Sequence, residues 1–163
     1  MNFKRISGLL ALLVILAFPA SASMVSFVII ETGLMEGTVD PQQYASLWEG
    51  SLMEVFFDAG HIVTNGPIMR LESRPGGLSG SLEAGFEDAL SGGAEYFIMG
   101  FLEFTFQGTR QIPSGITLKI YETNSRELIY EQEFAAGTGR NTNEESNIAQ
   151  SAGRIIVSYI RNR

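Results

Sequence analysis

Residues 96–106 read YFIMGFLEFTF. The run is aromatic-rich and apolar at both odd and even positions until Glu103, and only then alternates with polar residues. A strand with that pattern has both faces covered by protein, so it is expected inside a sheet rather than at its margin. Gly92-Gly93 stands just before it, where a preceding helix would end.

Downstream, Ile116 to Tyr121 and Glu127 to Phe134 are two more strands around Thr123-Asn124-Ser125-Arg126, a polar turn that predicts an antiparallel hairpin. Thr142 and Glu145 have the spacing of a capping box. Ile148, Ala149, Ala152, Ile155, Ile156, Tyr159 and Ile160 then form a helical stripe to the end of the chain. Upstream, Met24 to Glu31 (MVSFVIIE) is a short continuous apolar run that predicts a central strand. Asp40 is placed to cap a helix opened by Pro41. Tyr44, Leu47, Trp48, Leu52, Val55, Phe56 and Ala59 share one face of it, and Gly60 ends it. Trp48 on that stripe reads as core. His61 to Thr64 is a short strand broken by Asn65-Gly66-Pro67, with Ile68 to Leu71 continuing it or standing apart. Ser73 to Gly80 (SRPGGLSG) reads as a flexible loop, and Leu82, Phe86 and Leu90 as one face of a shorter helix.

The resulting order is β-α-β-α-β-β-β-α. It implies an α/β (α+β) two-layer sandwich, a mixed sheet of about five strands with three helices, with crossover connections in the first half and a meander in the second. All three apolar stripes are expected on one face of the sheet, leaving the other face polar or facing a partner. No repeat or linker divides the chain.

The N-terminal segment has the form of a secretory signal peptide. Lys4 and Arg5 supply the charge, Ile6 to Phe18 the apolar stretch, and Pro19-Ala20-Ser21-Ala22 an Ala-x-Ala cleavage site. The apolar run is shorter than the roughly 20 residues of a spanning helix, so residues 1–22 are expected to be removed and residues 23–163 to fold as a single domain. The chain has no cysteine. It therefore forms no disulfide and offers no lipid-accepting residue after the apolar stretch, and a periplasmic or secreted, unlipidated protein without a membrane anchor of its own is expected. Its 18 acidic against 11 basic residues give a charge of −7, which loss of Lys4 and Arg5 makes more negative. Nucleic acid and anionic lipid are poor partners for such a surface.

Little of the chain has the spacing of a catalytic or metal site, and no cofactor is expected. His61 is the only histidine, and no Gly-x-Ser-x-Gly elbow accompanies it. One histidine without cysteine does not supply the common zinc ligand sets. Glu31, Glu36 and Asp40 follow the first strand at the carboxyl end of the sheet, where α/β proteins place ligands. They form the candidate ligand loop, with a solvated loop as the alternative. Glu83, Glu87 and Asp88 read as the exposed face of a helix, with Glu83 in its first turn. Gly76 to Ser81 lacks a phosphate-binding spacing. As a mobile loop before a helix, this region offers Arg74, Leu78 and Ser79 as a candidate partner-contact surface.

Gly93-Ala94-Glu95-Tyr96-Phe97-Ile98-Met99-Gly100 resembles the Gly-Ala-Asp-Tyr strand entry of a group of bacterial envelope proteins: CsgG-like curli-secretion subunits, activators of penicillin-binding proteins, flagellar outer-membrane proteins and the N-terminal domain of TolB. The hairpin at 116–134 and the closing helix are similar in order. This chain departs from them in carrying Thr123-Asn124 where relatives have Thr-Gly, in lacking the lipid-accepting cysteine, and in having no long amphipathic hairpin from which to build a pore. The resemblance implies a non-catalytic domain that docks with other envelope proteins or with its own copies, in envelope assembly or maintenance. A small-ligand-binding periplasmic protein and a carboxylate-based hydrolase are the alternatives. N-terminal sequencing of the exported protein is expected to begin Ser-Met-Val-Ser; a chain that keeps Lys4 and Arg5 would overturn cleavage after Ala22.

Overall fold

A computed structural model describes residues 22–34, 42–70, 77–137 and 141–163. Its elements are β1 (Met24–Thr32), α1 (Gln42–Asp58), β2 (Ile62–Asn65), β3 (Met69–Arg70), α2 (Gly77–Ser91), β4 (Tyr96–Gln107), β5 (Arg110–Glu122), β6 (Glu127–Ala135) and α3 (Thr142–Arg161). The sheet runs β2-β1-β4-β5-β6, with β3 pairing to β1 beyond the end of β2. The chain is an α/β sandwich on a mixed sheet with three helices. The two-residue β3 brings the sheet to six strands. The cap expected at Asp40-Pro41 lies outside the described residues.

β1 is buried from Val25 to Glu31, with β4 parallel on one side and β2 and β3 parallel on the other. Its alternate side chains enter two separate cores. Val25, Phe27 and Ile29 join Trp48, Leu52 and Phe56 of α1 and Ala149, Ala152 and Ile156 of α3 in the larger one. Val28 joins Phe97, Met99 and Ala89 in the smaller one, beneath α2. The helices are thus not all on one face, as the sequence led us to expect. Crossovers between parallel strands share one hand. The step from β1 to β2 and the step from β3 back past β1 to β4 run in opposite directions, so their helices fall on opposite faces. The part of the second face that α2 leaves open is polar, as expected. There Lys119 pairs with Glu131 at 3.1 Å and stands over the Phe101 ring, 5.5 Å from its centroid.

Small residues set the close approaches. A Cβ at Gly100 would lie 2.7 Å from Ile29 Cδ1, and one at Gly153 would lie 3.2 Å from Val55 Cβ, where α1 and α3 meet. Gly60 and Gly93 end α1 and α2 with φ of +88° and +79°, the left-handed conformation expected after a helix.

Three local expectations are corrected. α2 begins at Gly77, so residues 77–80 belong to the helix instead of a loop. Once Leu82 to Ala89 is anchored on the sheet, adding turns costs far less than starting a helix. β5 begins at Arg110, six residues early, because Gly108-Thr109 closes a tight hairpin with β4, Gly108 having φ +65°. Pro113 is tolerated there because the register shifts between Glu103 and Phe104, which pair with Gly115 and Pro113. The capping box is also absent. Asn141 caps α3, its Oδ1 accepting from the Asn143 N–H at 2.9 Å.

Glu145 is free to turn inward and has no exposed surface. Its Oε1 accepts from the Trp48 indole at 2.7 Å and its Oε2 from the Gly137 N–H at 2.8 Å. Trp48 is core, as expected, but its indole N–H needed an acceptor inside the protein. Replacing Glu145 with Ala strands two donors at a cost of about 1–3 kcal/mol each. Urea unfolding should show a loss of about 3 kcal/mol for Glu145→Ala and a smaller one for Glu145→Gln, which keeps one carbonyl acceptor; equal losses would contradict this role.

Candidate functional site

Glu31 ends the buried part of β1. It points to the face occupied by α1, and its side chain has no exposed surface. Its Oε2 accepts from Arg70 Nε of β3 at 2.8 Å, while Oε1 is buried without a hydrogen-bond partner among the described residues. Glu36 and Asp40 lie outside the described residues, so Glu31 alone of the candidate ligand loop is placed. It is placed as a tie between β1 and β3, its buried carboxylate meeting the Arg70 guanidinium. Among the described residues no three His, Asp or Glu side chains converge as a metal site would require. Arg74 likewise lies outside, and of Leu78 and Ser79 only the backbone is described, in the first turn of α2.

His61 joins the N-terminal end of the sheet to the end of α1. Ser23 Oγ lies 2.6 Å from its Nδ1, and the Phe56 ring packs beside it, centroids 5.4 Å apart. Its Nε2 is buried, with no hydrogen-bond partner among the described residues. Burial holds the imidazole below its ordinary pKa, and the positive charge of Arg161 adds to the effect. A nucleophile–base pair needs a third group to orient the base. Among the described residues no such group meets the other ring nitrogen.

The surface groups that sequence reasoning missed are those that clamp α2. Arg126 closes the β5–β6 turn in the left-handed conformation, φ +58°. From there its guanidinium reaches Glu83 Oε1 at 2.6 Å, pairs with Glu87, and lies over the Phe86 ring. Glu83 is six residues into α2 and not in its first turn, so the ion pair, instead of the helix dipole, accounts for it. The only sequence signal was an arginine at the end of a polar turn, which does not reveal a partner about 40 residues away.

The surfaces left for contact are the sheet margins and the open part of the second face. β6 is the terminal strand of the sheet, nine residues long. It carries Glu131 and Glu133 opposite Lys119 and Thr117, and Leu128 is exposed. An unpaired strand edge is a template for another chain, and charges on it limit which chain can pair. Among the described residues no helix is long and apolar enough to cross a membrane.

No protein-family model matches the chain, and no curated protein matches its sequence. Solved structures share its fold. A single-substitution variant of the PelC dodecamer from Paraburkholderia phytofirmans superposes with a TM-score of 0.50 at 15% identity, over 83% of this chain and 87% of that one. Lipoprotein GNA1162 from Neisseria meningitidis gives 0.45 at 9% identity, over 86% and 99%. The LpoB C-terminal domain from Salmonella enterica gives 0.40 at 12% identity, over 79% and 93%. At these identities the likeness is one of fold.

The depressed pKa of His61 makes stability depend on pH. The unfolded chain binds the proton more tightly, so this contribution is complete above the unfolded pKa of about 6.5 and is lost as pH falls through the lower folded value. Glu49, whose carboxyl burial shifts upward, acts in the opposite sense and closer to the carboxylate range. The melting temperature is expected to fall between pH 7.5 and 5.5, and His61→Gln should remove much of that fall; an unchanged slope would exclude His61 as its source.

Proposed function

We propose that this chain is an exported, non-catalytic interaction module of the bacterial envelope, acting through protein contacts that include contacts between its own copies. The observation that supports self-association most directly is the fold shared with a PelC subunit that assembles as a dodecamer. The β6 edge, unpaired among the described residues, and the open polar face beside it offer the surface such contacts need.

The signal-like N-terminus and the resemblance at Gly93 to Gly100 support an envelope location. Ser23 O already accepts a hydrogen bond from the Ile62 N–H at 3.1 Å. Cleavage after Ala22 would therefore leave a chain that enters the sheet at once. The ion pair of Glu31 with Arg70 at 2.8 Å weighs against Glu31 as the acid of a carboxylate-based hydrolase, which needs a carboxyl group left to exchange protons.

Light scattering of the exported protein at tens of micromolar should give a mass several times that of one chain. The variant Glu133→Lys should lower that mass without lowering the melting temperature, its side chain being exposed and in no ion pair among the described residues. A strict monomer that also yields no crosslinked partner in the native envelope would overturn the proposal.

A further inference from the structure

A cavity of about 560 Å³ lies on the second face of the sheet, between α2 and the β1–β2 half. Its existence follows from how α2 is held. Phe86 packs edge-on against Phe97 at 4.8 Å and Tyr121 at 5.3 Å, and Arg126 grips Glu83 and Glu87, all on the β4–β5 side of the helix. Toward β1 and β2 the helix presents Ala84 and Gly85; Gly85 lies on the Phe97 ring, where an added Cβ would come within 3.0 Å of it, and neither residue has a side chain long enough to fill the space over Val28. The volume falls within the roughly 300–1,000 Å³ of small-molecule sites and far exceeds that of a single water.

Two polar groups in this apolar space lack partners. Ser26 lines the cavity with only 8% of its surface exposed, and its hydroxyl makes no hydrogen bond among the described residues. At the solvent side, Asp88 forms no ion pair among the described residues, although Glu83 and Glu87 on the same helix are both paired. The cavity thus combines an apolar body, a hydrogen-bonding group at its floor and an uncompensated negative charge at its mouth.

We propose that it binds a small arylalkyl amine, with the apolar part against Val28, Phe97 and Met69, the ammonium group at Asp88 and a polar atom within reach of Ser26. The site lies away from the β6 edge and does not depend on self-association. Phenethylamine and its neutral counterpart 2-phenylethanol separate the two parts of the assignment. Titrated into the 15N-labelled protein, both should shift the amides of Ser26, Val28, Ala84 and Gly85. Ala84→Phe, at an exposed position whose new side chain fills the space, should abolish those shifts for both probes. Asp88→Asn should weaken phenethylamine by about fivefold or more and leave 2-phenylethanol unchanged. Melting temperatures near wild type for both variants would show that the fold is intact. Shifts elsewhere, no shifts at 10 millimolar probe (about 2.7 kcal/mol of binding at 1 M standard state), persistence of shifts in Ala84→Phe, or equal loss of both probes in Asp88→Asn would each overturn the assignment.

Discussion

The carboxyl group of Glu145 takes hydrogen bonds from the Trp48 indole of α1 and from the backbone of Gly137, and it does so with no surface exposed to water. One residue of α3 thereby fixes α1, two helices earlier in the sequence, and the segment that leaves β6. A Cβ at Gly137 would come within 2.5 Å of Glu145 Oε2, so even the glycine is required by this contact. The larger core closes around it. Trp48, Leu52 and Phe56 can pack on β1 only if α1 lies where the indole meets its acceptor, and Gly153 lets α3 approach Val55 closely enough to complete the layer. A buried acid is expensive unless each of its oxygens is satisfied. Here both are.

The second face is built on different physics. α2 is attached mainly at one side, by an aromatic pair and by an ion-pair clamp from a turn residue in a left-handed conformation. Such a conformation costs roughly 1 kcal/mol for a residue other than glycine, and the two carboxylates and the Phe86 ring that Arg126 meets offset it. The same one-sided attachment leaves the opposite side of α2 raised over Val28 and Ser26. The clamp and the cavity are therefore two consequences of one placement.

Much of this fold was legible in order and type. Residues 96–106 did lie inside the sheet, because apolar residues at both parities can be buried only between two layers. Phe97 and Met99 face α2, while Ile98 and Leu102 face α1 and α3. Gly60 and Gly93 ended their helices for the backbone reason expected of them. The start of β5 was obscured by Pro113, which looks like a breaker until a bulge receives it. Residues 77–80 looked like a loop because local propensity is a weak prior beside a helix already anchored at Phe86 and Ala89. The candidate site was less legible. Glu31 was singled out for its place at the end of a strand, but its partner Arg70 lies on a two-residue strand with no periodicity to announce it.

The sequence by itself determined which segments are strands and helices, that no disulfide or thiol chemistry is available, and that the surface is acidic, since these depend on composition and on periods of a few residues. Only the tertiary structure decided which face each helix covers, that Glu145 serves Trp48 instead of its own helix end, and that Arg126 reaches across to α2. Those outcomes depend on the common hand of the crossovers and on the demand of buried polar groups for partners. Residues nearly a hundred positions apart in the chain meet that demand, and no local pattern encodes them.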